Sequence, residues 1–362
     1  MAPRLEPTEH SIILDSPQEV ATEVITRIVN NDLDILFLNY DLEPLQYVGA
    51  EAQSNSPFFG LGFHHINFQI ALGPSVTKLY GMFQQCTALE DLPSFATERV
   101  TDFRCMFKDC AALRIAPKLD CSAAVSLQSM FSGCQMLSEV PRLNTPKATS
   151  TQDMFFSCYS LSSFSLPDTS QVKNMQNMFN GCAALKQIGE LKMGSVQTAQ
   201  SMFHGCIALE EVGDLDTGNV ASMQEMFRGC RNLKTVGEMD TENVTDMSGM
   251  FFGCMEMTTA PFFDTSSVLT MDSMFENCRN LTFVPLYDTI SVTSMDSMFN
   301  GCFHLTSVPF FDTRNVTNMQ QMFEGCSNLA TVPHFETSKL KQSRDMFRGC
   351  LKLSSMPSYY EK

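Results

Sequence analysis

Cysteine is the residue type best placed to carry chemistry in this sequence, since fourteen cysteines occur among 362 residues. Twelve of them recur at a constant step of 24 residues, from Cys86 to Cys350. Structural zinc sites use cysteines grouped in CxxC-type pairs, and the sequence contains no such pair. One cysteine per repeat instead predicts a ladder of buried, reduced thiols that pack as small apolar side chains. Cys105 and Cys121 lie outside this ladder, and the pattern leaves open whether they are free thiols.

No motif of a known catalytic type accompanies the cysteines. The sequence lacks a Walker-type glycine-rich loop, a GxSxG elbow and an HExxH helix. A structural role is expected for the adjacent pair His64 and His65. An aspartate recurs ten residues after the repeat cysteine and has two alternative roles, holding calcium between turns or capping a helix, of which capping is favoured. These aspartates are Asp120, Asp168, Asp216, Asp240, Asp264, Asp288 and Asp312. We therefore expect no enzyme activity, no cofactor and no metal.

The composition favours an acidic globular protein. Apolar residues make up 44% and charged residues 18% of the sequence. The net charge of −16 makes the phosphate backbone of a nucleic acid an unfavourable partner. The N-terminus lacks an apolar segment of signal-peptide length, and no run approaches the ~18 apolar residues of a membrane span. The expected partner is a protein, either an assembly neighbour or a receptor, with no nucleic acid and no membrane insertion.

The elements that hold the cysteines follow from the other fixed positions of the repeat, counted from the cysteine as position 0. Leucine stands at position 3, an aliphatic residue at 6, proline or glycine at 7, and Asp-Thr at 10 and 11. Val292, Met295, Met298, Phe299 and Cys302 then have helical spacing, which predicts a short helix over positions 13 to 23. The Asp-Thr pair would cap its start, a glycine before the cysteine would end it, and the methionines would fill its buried side. Positions 3 to 10 are expected to form a short strand.

Residues 1–61 do not follow the repeat and are assigned to a separate N-terminal segment. Ser16-Pro17 has the composition of a helix start, and Leu33–Tyr40 is expected to contain a strand. The segment either caps the end of the repeat array or attaches it to a larger assembly. The repeats occupy 62–362. The predicted fold is an α/β solenoid of twelve 24-residue units, each with a short strand and a short helix, a parallel sheet on one face and a small N-terminal α/β cap.

One repeat, Asp240-Thr-Glu-Asn-Val-Thr-Asp-Met-Ser-Gly-Met-Phe-Phe-Gly-Cys254, carries a family resemblance. It resembles the BspA-like leucine-rich repeats of bacterial surface proteins, including the related repeat of mycoplasma lipoproteins. Asp264–Met271 and Asp312–Met319 match the same pattern, and the resemblance covers about residues 76–357. The resemblance implies adhesion or protein binding. Surface proteins of this family carry a signal peptide or a lipid anchor, and neither is recognised in this sequence. A virion component reaches the exterior without a signal peptide, so the expected setting is a virion or cell-exterior surface. The alternative is an intracellular protein-interaction scaffold in the cytoplasm.

Recognition is expected where the residues vary while the repeat stays fixed. Position 8, beside the proline, changes along the chain from basic to acidic to apolar residues. The predicted partner-binding residues are the apolar Phe262, Phe283, Leu286 and Phe310 and the acidic Glu190, Asp214 and Glu238. An exposed apolar patch of this kind marks a partner site. The alternative is that the residues beside proline turn inward and fill the strand.

Overall fold

Stacked, hydrogen-bonded repeats dominate the structure, a computed structural model. It describes residues 6–16, 26–27, 33–44, 55–162, 169–188, 191–354 and 357. The chain divides into two compact units, Met1–Val172 and Lys173–Lys362, which are treated separately below. Most of the helix predicted after Ser16 lies outside the described residues, and in that stretch only residues 26–27 are described, as helical.

The first unit begins with a three-stranded parallel sheet in the order β1-β2-β3. Its strands are β1 (Ser11–Leu14), β2 (Ile35–Leu38) and β3 (Gln69–Leu72). Strand β2 lies within the strand predicted over Leu33–Tyr40, which is confirmed. Ser11 pairs with Ile35, so the register between β1 and β2 has the same 24-residue offset as the later repeats. Parallel pairing of successive segments at this offset is the geometry of a stacked coil.

The residues between β2 and the first cysteine repeat continue the stacking. The Asp41 carboxylate accepts the backbone amides of Thr77 and Lys78, at 2.6 and 2.9 Å. The ring of Phe58 lies 5.0 Å from that of Phe83, and the thiol of Cys86 donates to the carbonyl of Phe58 at 2.9 Å. Asp41 and Phe58 thus occupy the places that a preceding repeat would otherwise fill.

Within each unit, successive repeats are joined by parallel bridges at position 16. In the first unit these bridges run through Lys78, Asp102, Ser126 and Ser150. In the second unit they run through Asn174, Thr198, Ser222, Asp246, Thr270, Ser294, Asn318 and Gln342. Both series consist of single bridges, so the continuous ladder lies at a different place in the repeat from the strand predicted over positions 3 to 10.

The strands predicted over positions 3 to 10 are shorter than expected. Two-residue strands form at β4 (Glu211–Val212) and β5 (Thr235–Val236), while other repeats make single bridges such as Thr259 with Phe283. Glycine follows β4 and β5 at position 7, and the amide of Gly237 donates to the carbonyl of Val212 at 2.7 Å. Proline stands there in most other repeats and has no amide to donate. The missing donor explains why the ladder stays short.

The helix predicted over positions 13 to 23 does not form in the described repeats, where consecutive turns take its place. In the repeat ending at Cys230, the amides of residues 223, 225, 227 and 229 donate to the following repeat, and those of residues 226, 228 and 230 donate to the carbonyl three residues back. Glu225 and Gly229 have φ values of 54° and 73°. A right-handed helix uses its amides internally and excludes left-handed residues at four-residue intervals. The spacing of the apolar residues correctly predicted which side chains are buried, but the helical backbone predicted from it was wrong.

The core of each unit is a set of columns, one for each apolar position of the repeat. The predicted burial of the twelve ladder cysteines is confirmed. The methionines at positions 17 and 20 are fully buried, as expected. The phenylalanine rings at position 21 stack 5.3 to 5.7 Å apart from Phe83 to Phe155, and 5.5 to 5.8 Å apart from Phe179 to Phe347. Offset stacking at this distance is favourable and repeats without a break within each unit.

Candidate functional site

Three large apolar side chains in successive repeats of the second unit project into solvent. Phe262, Leu286 and Phe310 all stand at position 8, and their exposed fractions are 77, 69 and 59%. We call these three residues the apolar ridge. The alternative that residues beside proline turn inward does not hold for them.

The residues that follow the ridge explain why it faces outward. At position 9 the aromatic residues turn inward and stack on the phenylalanine column, as Tyr287 does on Phe275 at 6.4 Å and Phe311 on Phe299 at 6.1 Å. The buried hydroxyl of Tyr287 also donates to the carbonyl of Pro261 at 2.7 Å. Because the chain is extended beside the proline, anchoring position 9 inside leaves position 8 outside.

A row of carboxylates lies beside the ridge at position 10. We call Asp264, Asp288 and Asp312 the aspartate row. In each, Oδ1 accepts the backbone amide two residues further on, at 3.0, 3.0 and 3.2 Å. These are Asx turns, so each aspartate caps a turn and not the start of the predicted helix, which does not form. The hydroxyl and amide of a serine two residues on lower the pKa of Asp264, and the guanidinium of Arg314 lowers that of Asp312. Both carboxylates therefore stay charged at neutral pH.

The threonines at position 11 connect the row from repeat to repeat. The hydroxyl of Thr265 donates to the backbone carbonyl of Asp288 at 2.7 Å, and that of Thr289 donates to the carbonyl of Asp312 at 3.0 Å. Both threonines are buried. A groove of about 470 Å³ runs between ridge and row, lined by Leu286, Phe310 and all three aspartates. The site is therefore held by hydrogen bonds between repeats, which fixes the spacing of its side chains.

The other predicted partner-binding residues lie apart from this groove or outside the described residues. Phe283 is 50% exposed and does not line the groove. Asp214 and Glu238 are brought together, since the amide of Glu238 donates to a carboxylate oxygen of Asp214 at 2.8 Å. Glu190 lies outside the described residues. From the sequence, the aspartates were considered only as capping or calcium-binding residues. Each aspartate stands two residues after a ridge residue, and this constant spacing is the feature of the sequence that indicates a shared surface.

The side chains of the ladder cysteines and of His64 and His65 are engaged in contacts within the protein. The ladder thiols from Cys206 to Cys350 each donate to the carbonyl of a phenylalanine in the preceding repeat, as Cys278 does to Phe251 at 3.1 Å. Burial raises the pKa of Cys278 to about 12, which keeps the thiol neutral and unreactive. His64 lies 3.1 Å from Glu90, and His65 lies 3.0 Å from Asp91. Within the part of the chain that is described, no three metal-ligating side chains are grouped together.

A second cavity lies in the first unit and was not anticipated from the sequence. It has a volume of about 440 Å³ and is lined mainly by polar side chains, with Phe156 and Tyr159 as its aromatic members.

Across the described ranges, no helix is long and apolar enough to cross a membrane.

The repeat pattern matches a family model described as "Mycoplasma protein of unknown function, DUF285". The match covers residues 73–140, 149–260, 200–304 and 254–360, which together make up well over half of the chain. The chain belongs to this family. The matched residues are those with the 24-residue period, and the resemblance to BspA-like leucine-rich repeats of the mycoplasma type is confirmed.

Solved structures with similarity to the chain include two bacterial leucine-rich repeat proteins. TpLRR of T. pallidum is 24% identical over 46% of this chain and 76% of its own, with a TM-score of 0.38. A leucine-rich repeat protein from Eubacterium ventriosum is 15% identical over 92% of this chain and 86% of its own, with a TM-score of 0.44. The Toll–Spätzle complex of Drosophila gives 13% identity, coverages of 90% and 45%, and a TM-score of 0.26. TM-scores below 0.5 support no inference about function. No curated protein matches the chain.

Proposed function

We propose that the protein is a non-enzymatic recognition protein that binds a partner protein through the apolar ridge. The observation that carries the proposal is the exposure of three large apolar side chains at the same position of three successive repeats. At about 200 Å² for each fully exposed side chain, the ridge presents roughly 400 Å² of apolar surface. A patch of this size is comparable with the largest on ordinary monomers and is typical of partner sites.

The rigidity of the site supports the same function. Hydrogen bonds between repeats fix the ridge before any partner arrives, so little conformational entropy is lost when the ridge is covered. At ~25 cal/mol per Å², burial of the ridge supplies a favourable hydrophobic contribution of about 10 kcal/mol before the cost of association. We place the protein on a virion or cell-exterior surface, where it serves adhesion or partner recognition. Finding it in purified particles or membranes supports this setting, and finding it only in cytosol favours the intracellular scaffold.

A peptide selection tests whether the ridge binds protein. A random peptide library is selected against the full chain, and the binders are measured against a ridge variant carrying Phe262→Ser, Leu286→Ser and Phe310→Ser. We expect most binders to lose at least tenfold in affinity, while thermal unfolding of the variant stays within a few degrees of the wild type, because exposed side chains contribute little to stability. Binders unaffected by the three substitutions would contradict the proposal.

The matched control replaces exposed apolar residues elsewhere in the same unit. Ile207, Leu269 and Leu351 are 42, 49 and 83% exposed, and their triple serine variant removes a comparable apolar area. Binders of the ridge should keep their affinity for this control. Equal losses on both variants would indicate nonspecific hydrophobic adsorption.

We propose that residues 1–61 cap the repeats in 62–362. Asp41 and Phe58 support this role, since they complete hydrogen bonds and ring stacking at the first repeat. Deleting 1–61 uncovers the ring of Phe83 and the amides of Thr77 and Lys78, so aggregation is the expected result. A soluble, well-folded remainder would instead indicate an attachment segment.

A further inference from the structure

We propose that the segment bound at the apolar ridge is an amphipathic α-helix of the partner protein, with a basic residue on each of two successive turns beside its apolar stripe. This inference rests on the proposed function, because it names the kind of partner that the ridge receives. It adds the conformation of the partner segment and its charge.

The spacing of the repeats favours a helix over an extended strand. The rings of Phe251, Phe275 and Phe299, on which the position-9 residues next to the ridge stack, follow one another at 5.7 and 5.8 Å, about 11.5 Å for two steps. In a helix lying along the stack, residues i and i+7 are about 10.5 Å apart, with i+3 and i+4 between them. In a strand, three side chains on one face span about 13.5 Å. The helix misses the repeat spacing by about 1 Å, half the error of the strand, since its pitch of about 5.4 Å is close to one repeat.

The aspartate row determines the charge of the helix. Asp312 is already paired with Arg314, whose Nη2 lies 2.8 Å from its carboxylate, so Asp264 and Asp288 remain for a partner. They stand in successive repeats, which corresponds to one helical turn. Lysine or arginine at i and i+4 on the edge of the partner's apolar stripe would therefore face both carboxylates. The net charge of −16 further favours a basic segment.

Two structured libraries separate this inference from the function on which it rests. One displays a randomised face on a stable helix of at least four turns, because shorter isolated helices are only marginally formed. The other displays the same number of randomised residues on a β-hairpin with one open edge. Each library is selected against the full-length protein, and every binder is then measured on the ridge variant, the control variant and an Asp264→Asn, Asp288→Asn double variant.

The expected result is ridge-dependent binders from the helical library with apolar residues at i, i+3 or i+4, and i+7. Their affinity should fall about fivefold to tenfold on the double asparagine variant, as expected for two exposed ion pairs, and should weaken with added salt. Ridge-dependent binders that come only from the hairpin library overturn the helix. Ridge-dependent helical binders indifferent to both asparagines overturn the basic residues, and both results leave the proposed function standing. If no binder from either library depends on the ridge, the proposed function itself fails.

Discussion

Raising the pH from 7 to 9 should destabilise this protein through its buried thiols. Burial raises the pKa of each ladder cysteine for which a shift is resolved. These residues are Cys86, Cys110, Cys134, Cys206, Cys230, Cys254, Cys278, Cys302, Cys326 and Cys350. In the unfolded chain a thiol ionises near pH 8.5. Above that pH the native state holds more protons than the unfolded state, so the free energy of unfolding falls as the pH rises.

The magnitude follows from linkage. With the native thiols still protonated at pH 9, each costs roughly 0.8 kcal/mol of stability relative to pH 7. Ten such thiols lower the stability by about 8 kcal/mol over the chain. Seven of the ten lie in the second unit, Lys173–Lys362, which should therefore lose most. Below about pH 7.5 the effect is small, and tyrosine and lysine ionise above the range used.

A triple alanine variant at Cys254, Cys278 and Cys302 provides the assay. At pH 7 it should be less stable than the wild type, since each substitution removes a buried thiol and its hydrogen bond. At pH 9 the difference should narrow by about 2 to 3 kcal/mol, on the order expected for three fewer ionising thiols. Urea unfolding followed by circular dichroism, with a phosphine reductant present, measures both differences.

The control variant replaces three buried valines of the same unit, Val244, Val268 and Val292, by alanine. Its loss of stability relative to the wild type should be the same at both pH values, because valine does not ionise. Parallel pH profiles for the wild type and the cysteine variant would refute the reasoning, since the ladder thiols would then not be responsible for the alkaline loss.

Three further predictions concern the backbone, the links between repeats and the aspartate row. Gly301→Ala should cost about 1 kcal/mol in urea unfolding, because φ is 73° and the new Cβ meets the Asn277 side chain at 2.7 Å; Gly213→Ala, with nothing within 4 Å, should cost less. Thr289→Val should cost about 1 to 3 kcal/mol by the same measurement, because the backbone carbonyl of Asp312 loses the hydroxyl that donates to it and is left buried without that donor. Asp264 has a lowered pKa, so its stabilising contribution is present above pH 4 and lost as the pH falls through the native pKa. Asp264→Asn should reduce the acid sensitivity of thermal unfolding, and an unchanged acid profile would contradict this account.

Much of the core could be predicted from spacing, because burial depends on side-chain type. The period of 24 fixed the repeat, and the cysteine, methionine and phenylalanine columns are buried as expected. Backbone conformation was less accessible. Eight repeats carry glycine before the cysteine, and the sequence analysis attributed this glycine to the end of a helix. Position 19 also has positive φ, but residues such as Ser201, Glu225 and Gln321 occupy it, so the residue types there do not reveal the left-handed conformation. Local preference opposes positive φ at those residues, and hydrogen bonds to the next repeat override it.

The site shows the same division between sequence and structure. Position 8 identified Phe262, Leu286 and Phe310 as candidates, yet the choice between core and surface depended on where position 9 was anchored. The inward stacking of Tyr287 on Phe275 and its hydrogen bond to Pro261 decide that choice. Such contacts join residues in different repeats, so they depend on the alignment of repeats in space as well as on the local pattern.

The sequence by itself determined the repeat, its buried columns and the family, because a strict period and the type of side chain express all three. Tertiary structure decided how the amides are shared between repeats, why turns replace the helix, and which residues of the variable positions meet. Hydrogen bonds between repeats made those decisions, since in turn segments such as the one ending at Cys230 half of the amide donors are satisfied by a carbonyl 23 residues further along the chain. The Cys-to-Cys step thus specifies the stack, while the contacts between repeats place the ridge beside the aspartate row.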